Sequence, residues 1–301
     1  MRTIALILTA CAASTLNWSV AVHSRPVAPP AAAEQQLPHI SIQTIGKGPA
    51  VVLIPGLSTP RAVWDGIAPG LARNHHVVLI QVNGFAGDNP GDNLKPGVLE
   101  GIVADLHGYL AAQQLGRVAV IGHSMGGLAA LMFAHAHPDQ LDRVMVVDAL
   151  PFFAVLMDPA ARVDSVRPTA EMMRAKILST YGKPADPARI EASVKGLALK
   201  PESVTRMTQW ATAADPRVVA EVLYEDLTTD VRPQLASVST PITVVVPWSD
   251  KGFGEEQTLG FYKRQYATLP RASFITIGDA GHFVMLDQPE KFAATVETFV
   301  R

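Results

Sequence analysis

From His39 onward the chain alternates short, almost unbroken apolar runs with longer stretches of helical periodicity. The runs HISIQTI (39–45), AVVLI (50–54), HHVVLIQV (75–82), RVAVIG (117–122), DRVMVVDA (142–149), PITVVVP (241–247) and RASFITIG (271–278) are rich in β-branched side chains. A strand that is apolar at nearly every position has both faces covered, so these runs predict a parallel sheet buried between helices. Helices are predicted over 62–73, 98–115, 125–138, 255–269 and 289–300, where apolar residues recur at helical spacing. Strand and helix in alternation give an α/β architecture, a mostly parallel sheet flanked by helices.

Two regions break this rhythm. Residues 151–212 contain no buried-strand run and are rich in Met, Ala and Pro, and the sheet pattern resumes only at Pro241. That gap is too long for a single crossover helix, so the stretch is expected to be an inserted helical cap, or lid, on a core formed by 39–150 and 213–301. The alternative is a set of ordinary packing helices of the main layer. The other region is the N-terminus, where Met1 and Arg2 precede an apolar run from Ile4 to Leu16 and then small residues. This is the layout of a secretory signal peptide, and its run of about 13 residues is shorter than the ~20 a membrane-spanning helix requires. Cleavage after Ala13, Ala21 or Ser24 fits; Ala21 is preferred, giving a signal over 1–21 and a Pro/Ala-rich linker over 22–38. Export to the periplasm or medium is the expected location. Leu8-Thr9-Ala10-Cys11 also reads as a lipobox, the alternative in which a lipid anchor at Cys11 tethers the protein; an uncleaved N-terminal helix is a third reading.

The 301 residues are 48% hydrophobic and 17% charged, which excludes disordered, collagenous and coiled-coil classes. A formal charge of −2 argues against a nucleic-acid partner. With Cys11 as the single cysteine, an internal disulfide or a cysteine-based zinc site is excluded. The chemistry therefore falls to Ser, His, Asp, Glu or the backbone.

The run RVAVI leads straight into Gly122-His123-Ser124-Met125-Gly126-Gly127 and then into an apolar helix. A bare Gly-x-Ser-x-Gly recurs by chance. Here, though, it falls where a buried strand must reverse sharply into a helix, a turn that lifts a serine hydroxyl clear of the sheet. The free N–H groups and positive dipole end of the helix then face any negative charge developing at Ser124. A serine merely capping the helix is the bland alternative.

This segment resembles the nucleophile elbow of the α/β-hydrolase superfamily, and the resemblance runs from about His39 to Arg301. It implies a serine hydrolase in which acid and then histidine follow the serine along the chain. Of nine histidines, His282 follows a late buried strand in Gly278-Asp279-Ala280-Gly281-His282-Phe283, a string similar to the superfamily's histidine loop, so it is assigned as general base and acid. His123, beside the serine, is expected to point away from it. The acid that orients the imidazole is expected to be Asp250, in the loop after the run ending at Pro247, because active sites of open α/β sheets gather at that edge. Its rival is Asp148 at the end of DRVMVVDA, where some members of the superfamily carry the acid, while Asp230, Asp279 and Asp287 are read as solvated or structural. For the oxyanion hole, the amides of Met125 and Leu57 are expected. Here the superfamily's common His-Gly reads Pro55-Gly56. The alternative is a plain turn.

The resemblance thus implies ester hydrolysis through an acyl-enzyme, on a small-molecule ester with a hydrophobic acyl or alcohol part, with no metal or organic cofactor. Serine at the nucleophile position sets the chain apart from haloalkane dehalogenases and epoxide hydrolases, which carry aspartate there. Phe152, Phe153, Met157, Met172, Met173 and Trp210 are candidates to line an apolar pocket or, equally, to form cap core. Amide, C–C and cofactor-free perhydrolase chemistry use the same residues, and a catalytically silent binding protein is the non-enzyme alternative.

Overall fold

All seven apolar runs become strands of one sheet in the computed structural model, which describes residues 34–301. The strands are β1 (Gln35–Gln36), β2 (Ile40–Ile45), β3 (Ala50–Ile54), β4 (His76–Val82), β5 (Val118–His123), β6 (Leu141–Val147), β7 (Ile242–Trp248) and β8 (Ala272–Gly278), ordered β1-β2-β4-β3-β5-β6-β7-β8. β1–β2 and β2–β4 are antiparallel and every other pair is parallel. The expected signal peptide, its cleavage sites and Cys11 lie outside the described residues. The fold begins earlier than His39: Gln35 and Gln36 pair with Ile42 and Ser41, so the end of the expected linker is an edge strand.

Unbroken hydrophobicity has the anticipated cause. Along β3, Val52 and Ile54 enter the core on one side of the sheet and Val51 and Leu53 enter the core on the other. Helices α1 (Ala68–Leu71), α2 (Val98–Ala112), α3 (Met125–Ala136), α4 (Val163–Leu178), α5 (Pro187–Val194), α6 (Pro201–Ala213), α7 (Pro216–Thr228), α8 (Gly254–Gln265), α9 (Val284–Asp287) and α10 (Pro289–Phe299) complete the fold. Of the predicted 62–73 helix only α1 and a 3-10 turn at Arg61–Trp64 form; Pro69 and the two glycines at 66 and 70 limit its length.

Between β6 and β7, where a cap over 151–212 is expected, the chain forms helices α4 to α7. α7 packs along α4, and the sheet resumes only at Ile242. The described residues, 34–301, belong to one compact unit, so the helices between β6 and β7 share a continuous body with the sheet.

Because the central strands are parallel and in register, their C-terminal ends meet at one edge. His123 lies opposite Val147, Val147 opposite Val245, and Trp248 opposite Gly278. The loops that follow carry Ser124, Asp148 and His282.

Candidate active site

Ser124 stands between β5 and α3 with φ 54° and ψ −125°, a backbone that L-residues adopt only under constraint. The constraint is close packing. A Cβ on Gly122 would sit 2.1 Å from the Gly126 carbonyl oxygen, and one on Gly126 would sit 2.4 Å from that of Ile54, so both glycines of the motif are sterically required. The Ser124 amide donates to the Val147 carbonyl (3.0 Å), and its own carbonyl accepts from Gly127 and Leu128.

His282 pairs with Asp148. The imidazole Nδ1 lies 2.6 Å from Asp148 Oδ2, and Tyr262 of α8 donates its hydroxyl to Asp148 Oδ1. Both members are mostly sheltered, with 19% and 13% of their side-chain surface exposed. The expectation that Asp250 orients His282 is therefore corrected. Asp250 is exposed two residues beyond β7 and makes no hydrogen bond among the described residues. Asp148 instead turns at the end of β6 with φ 45°, its amide tied to Val245, and that turn is where the histidine loop arrives. Burial and the Asp148 charge together push the Tyr262 phenol well above its ordinary value, keeping it a donor at neutral pH.

His123, expected to point away from Ser124, packs on the histidine loop. It is fully buried, its ring centroid is 4.6 Å from that of His282, and its Nε2 is 2.9 Å from the His282 carbonyl oxygen. A carbonyl accepts, so Nε2 carries the proton, and burial holds the imidazole well below its ordinary value, hence neutral. Asp287, 1% exposed, fixes the same loop: its carboxylate accepts from the Gly281 amide (2.9 Å) and from the insert's Leu199 and Lys200 amides (2.9 and 3.3 Å). The structural role read for Asp287 is thereby given content. Neither Tyr262 nor the insert's buried Asp226 sits in a local motif that would mark it in the sequence.

The turn after β3 abuts the serine, for a Cβ on Gly56 would lie 3.1 Å from Ser124 Cβ. Ser58 takes φ 56°, and Thr59 closes the turn by donating its amide to Gly56 (3.2 Å) and its hydroxyl to the Leu57 carbonyl (3.0 Å). The Leu57 amide makes no hydrogen bond among the described residues, and Met125, first residue of α3, has no intrahelical acceptor. Of the expected cap residues, Phe152 is fully buried, while Met157 and Met172 are 49% and 63% exposed and so face solvent. A cavity of about 440 Å³ lined by Glu100, Met132, His135 and Gln234 lies at the opposite end of α3 from Ser124.

Comparison with known proteins identifies the family. The chain is 33% identical over 114 residues to a pimeloyl-[acyl-carrier protein] methyl ester esterase of Aeromonas hydrophila, a stretch covering 38% of this chain and 43% of that protein. With the enzyme of the same name from Nitrosomonas europaea, identity is 26% over 268 residues, covering 85% of this chain and 97% of the relative. The solved structure of a thermophilic esterase from Thermogutta terrifontis superposes with a TM-score of 0.71 at 23% identity, covering 90% of this chain and 98% of that one. The family profile described as "Alpha/beta hydrolase family" matches residues 51–295, and the chain belongs to that family.

Proposed function

We propose that the protein is a serine hydrolase that cleaves carboxylic esters whose acyl or alcohol part is apolar, through Ser124, His282 and Asp148. The observation that carries this reading is the 2.6 Å contact of His282 Nδ1 with Asp148 Oδ2, taken with a serine held at φ 54° on a strand-to-helix turn. The methyl ester esterases among its relatives support the choice of ester over other acyl bonds.

In this mechanism Ser124 Oγ attacks the ester carbonyl carbon while His282 Nε2 takes its proton. The carbonyl oxygen becomes an alkoxide that accepts from the Leu57 and Met125 amides. Asp148 accepts from Nδ1–H, fixing the tautomer and balancing the imidazolium. Collapse breaks the C–O bond, the alcohol leaves with the proton from His282, and water repeats the sequence to release the acid.

The test is initial rates on p-nitrophenyl esters from acetate to palmitate, wild type against Ser124→Ala. Loss of at least about 10⁴-fold in the variant is expected, and the chain-length optimum sizes the acyl site. Folded wild type that turns over no ester, or turnover that survives Ser124→Ala, overturns the proposal.

A further inference from the structure

Helix α7 carries two adjacent buried carboxyl groups with different surroundings. Glu225 is engaged by the N-terminus of α2, accepting from the amides of Gly97, Val98 and Leu99 at 2.6, 3.0 and 2.8 Å. Asp226 is 5% exposed and, among the described residues, makes neither a hydrogen bond nor an ion pair, yet neither of its carboxyl oxygens is fully sealed from solvent. Buried carboxyl groups are nearly always satisfied, because leaving one without a partner forfeits its hydration with no return. An exception beside a reactive centre points to a partner that arrives from outside.

The position of α7 supplies that setting. At its N-terminal end the Asp215 amide donates to the Gly84 carbonyl (2.7 Å), and just beyond its C-terminal end the Val231 amide donates to Pro151 (2.9 Å), three residues after Asp148. Asp226 lies one turn before that second tie, near enough to His282 for the two groups to act on each other electrostatically. Burial pushes the Asp226 carboxyl up to about 7, against a smaller opposing influence of His282. The other charged groups around α7 are already engaged: Arg174 with Glu221, Arg167 with Tyr224, and Arg232 with Asp230.

The chemistry defines a side. The Leu57 and Met125 amides take the carbonyl oxygen, whereas His282 must reach the leaving oxygen to protonate it. A group beside His282 thus faces the alcohol half of the ester. We propose that Asp226 is a specificity-determining residue whose carboxyl group hydrogen-bonds a hydroxyl or keto oxygen carried by the leaving alcohol. The proposal rests on the ester-hydrolase reading above. A neutral carboxyl donates to either oxygen, and an ionised one can only accept, which a hydroxyl permits and a ketone does not.

The experiment compares kcat/KM on propyl, hydroxypropyl and acetonyl butyrate for wild type, Asp226→Leu and Asp226→Asn. These three esters share one acid and differ only in the alcohol. At pH 6 the hydroxypropyl/propyl and acetonyl/propyl ratios should each fall about tenfold or more in Asp226→Leu. As pH rises through about 7, the wild-type acetonyl ratio should fall toward that of Asp226→Leu while the hydroxypropyl ratio is kept, and Asp226→Asn, a donor at every pH, should hold its acetonyl ratio. Both variants should fold, with a melting temperature above pH 7 at or above wild type, since each removes a buried ionisable group without a protein partner. Ratios unchanged by Asp226→Leu, in an enzyme whose ester turnover depends on Ser124, overturn this inference and leave the esterase reading standing. Absence of Ser124-dependent turnover of any ester removes the esterase reading and this inference with it.

Discussion

At the scale of single residues, the site depends on positions where the backbone itself is costly. Ser124 and Asp148 both have positive φ, at 54° and 45°, and for a residue with a Cβ such a conformation costs on the order of 1–3 kcal/mol. Tertiary contacts hold each of them: Ser124 is hydrogen-bonded to Val147, and Asp148 to Val245 and Tyr262. His123 adds a neutral donor that fixes the His282 carbonyl without competing for the proton His282 must carry. On this geometry Asp148→Asn should lower kcat on p-nitrophenyl butyrate by about 10³–10⁴-fold, because the amide stabilises the wrong tautomer. Asp250→Asn should stay within about twofold of wild type, as expected of an exposed side chain. The reverse ordering in steady-state kinetics would return the acid to Asp250.

Among the elements, the histidine loop is joined to the insert through one carboxylate. Asp287 gathers the Gly281, Leu199 and Lys200 amides and the Ser203 hydroxyl, and the Phe283 amide donates to Leu197 across the same seam. Replacing it leaves those part-buried amides unpaired. Asp287→Ala is expected to cost about 3 kcal/mol or more and to lower the melting temperature by about 6–12 °C. Turnover should fall as well, since Gly281 precedes His282. Asp287→Asn keeps one accepting oxygen and should lose less by thermal denaturation. A melting temperature unchanged in the alanine variant would show that the seam contributes nothing to stability.

For the whole molecule, the insert and the sheet are not separable layers. α4 packs along α7, α7 is hydrogen-bonded to α2 through Glu225, and Val218 and Val222 of α7 belong to the core on one side of the sheet. A cut that removes residues 152–212 takes α4 away and leaves α7 with a bare apolar face beside side chains already missing their neighbours. The truncated chain should aggregate, read as loss of soluble yield and of a monomer-sized gel-filtration peak. A soluble, monodisperse truncation that keeps its ester turnover would show instead that the insert is a detachable lid.

The strands, the strand-to-helix turn at Ser124 and the loop bearing His282 were legible in the chain because their signals are local. Apolar runs report burial on both faces, and glycines at 122 and 126 report a turn with no room for a side chain. The packing of helix α7 on α4 was not legible, because amphipathic periodicity identifies a helix without naming the helix it packs on. The partner of His282 was the least accessible of all. Asp148 and Asp250 both follow strands that end at the same edge, 134 and 32 positions from the histidine, and nothing in either local string distinguishes them. The backbone turn at Asp148, the phenol of Tyr262 and the path of the histidine loop decide between them. Those are distances in space between segments remote in sequence, and only the folded chain sets them.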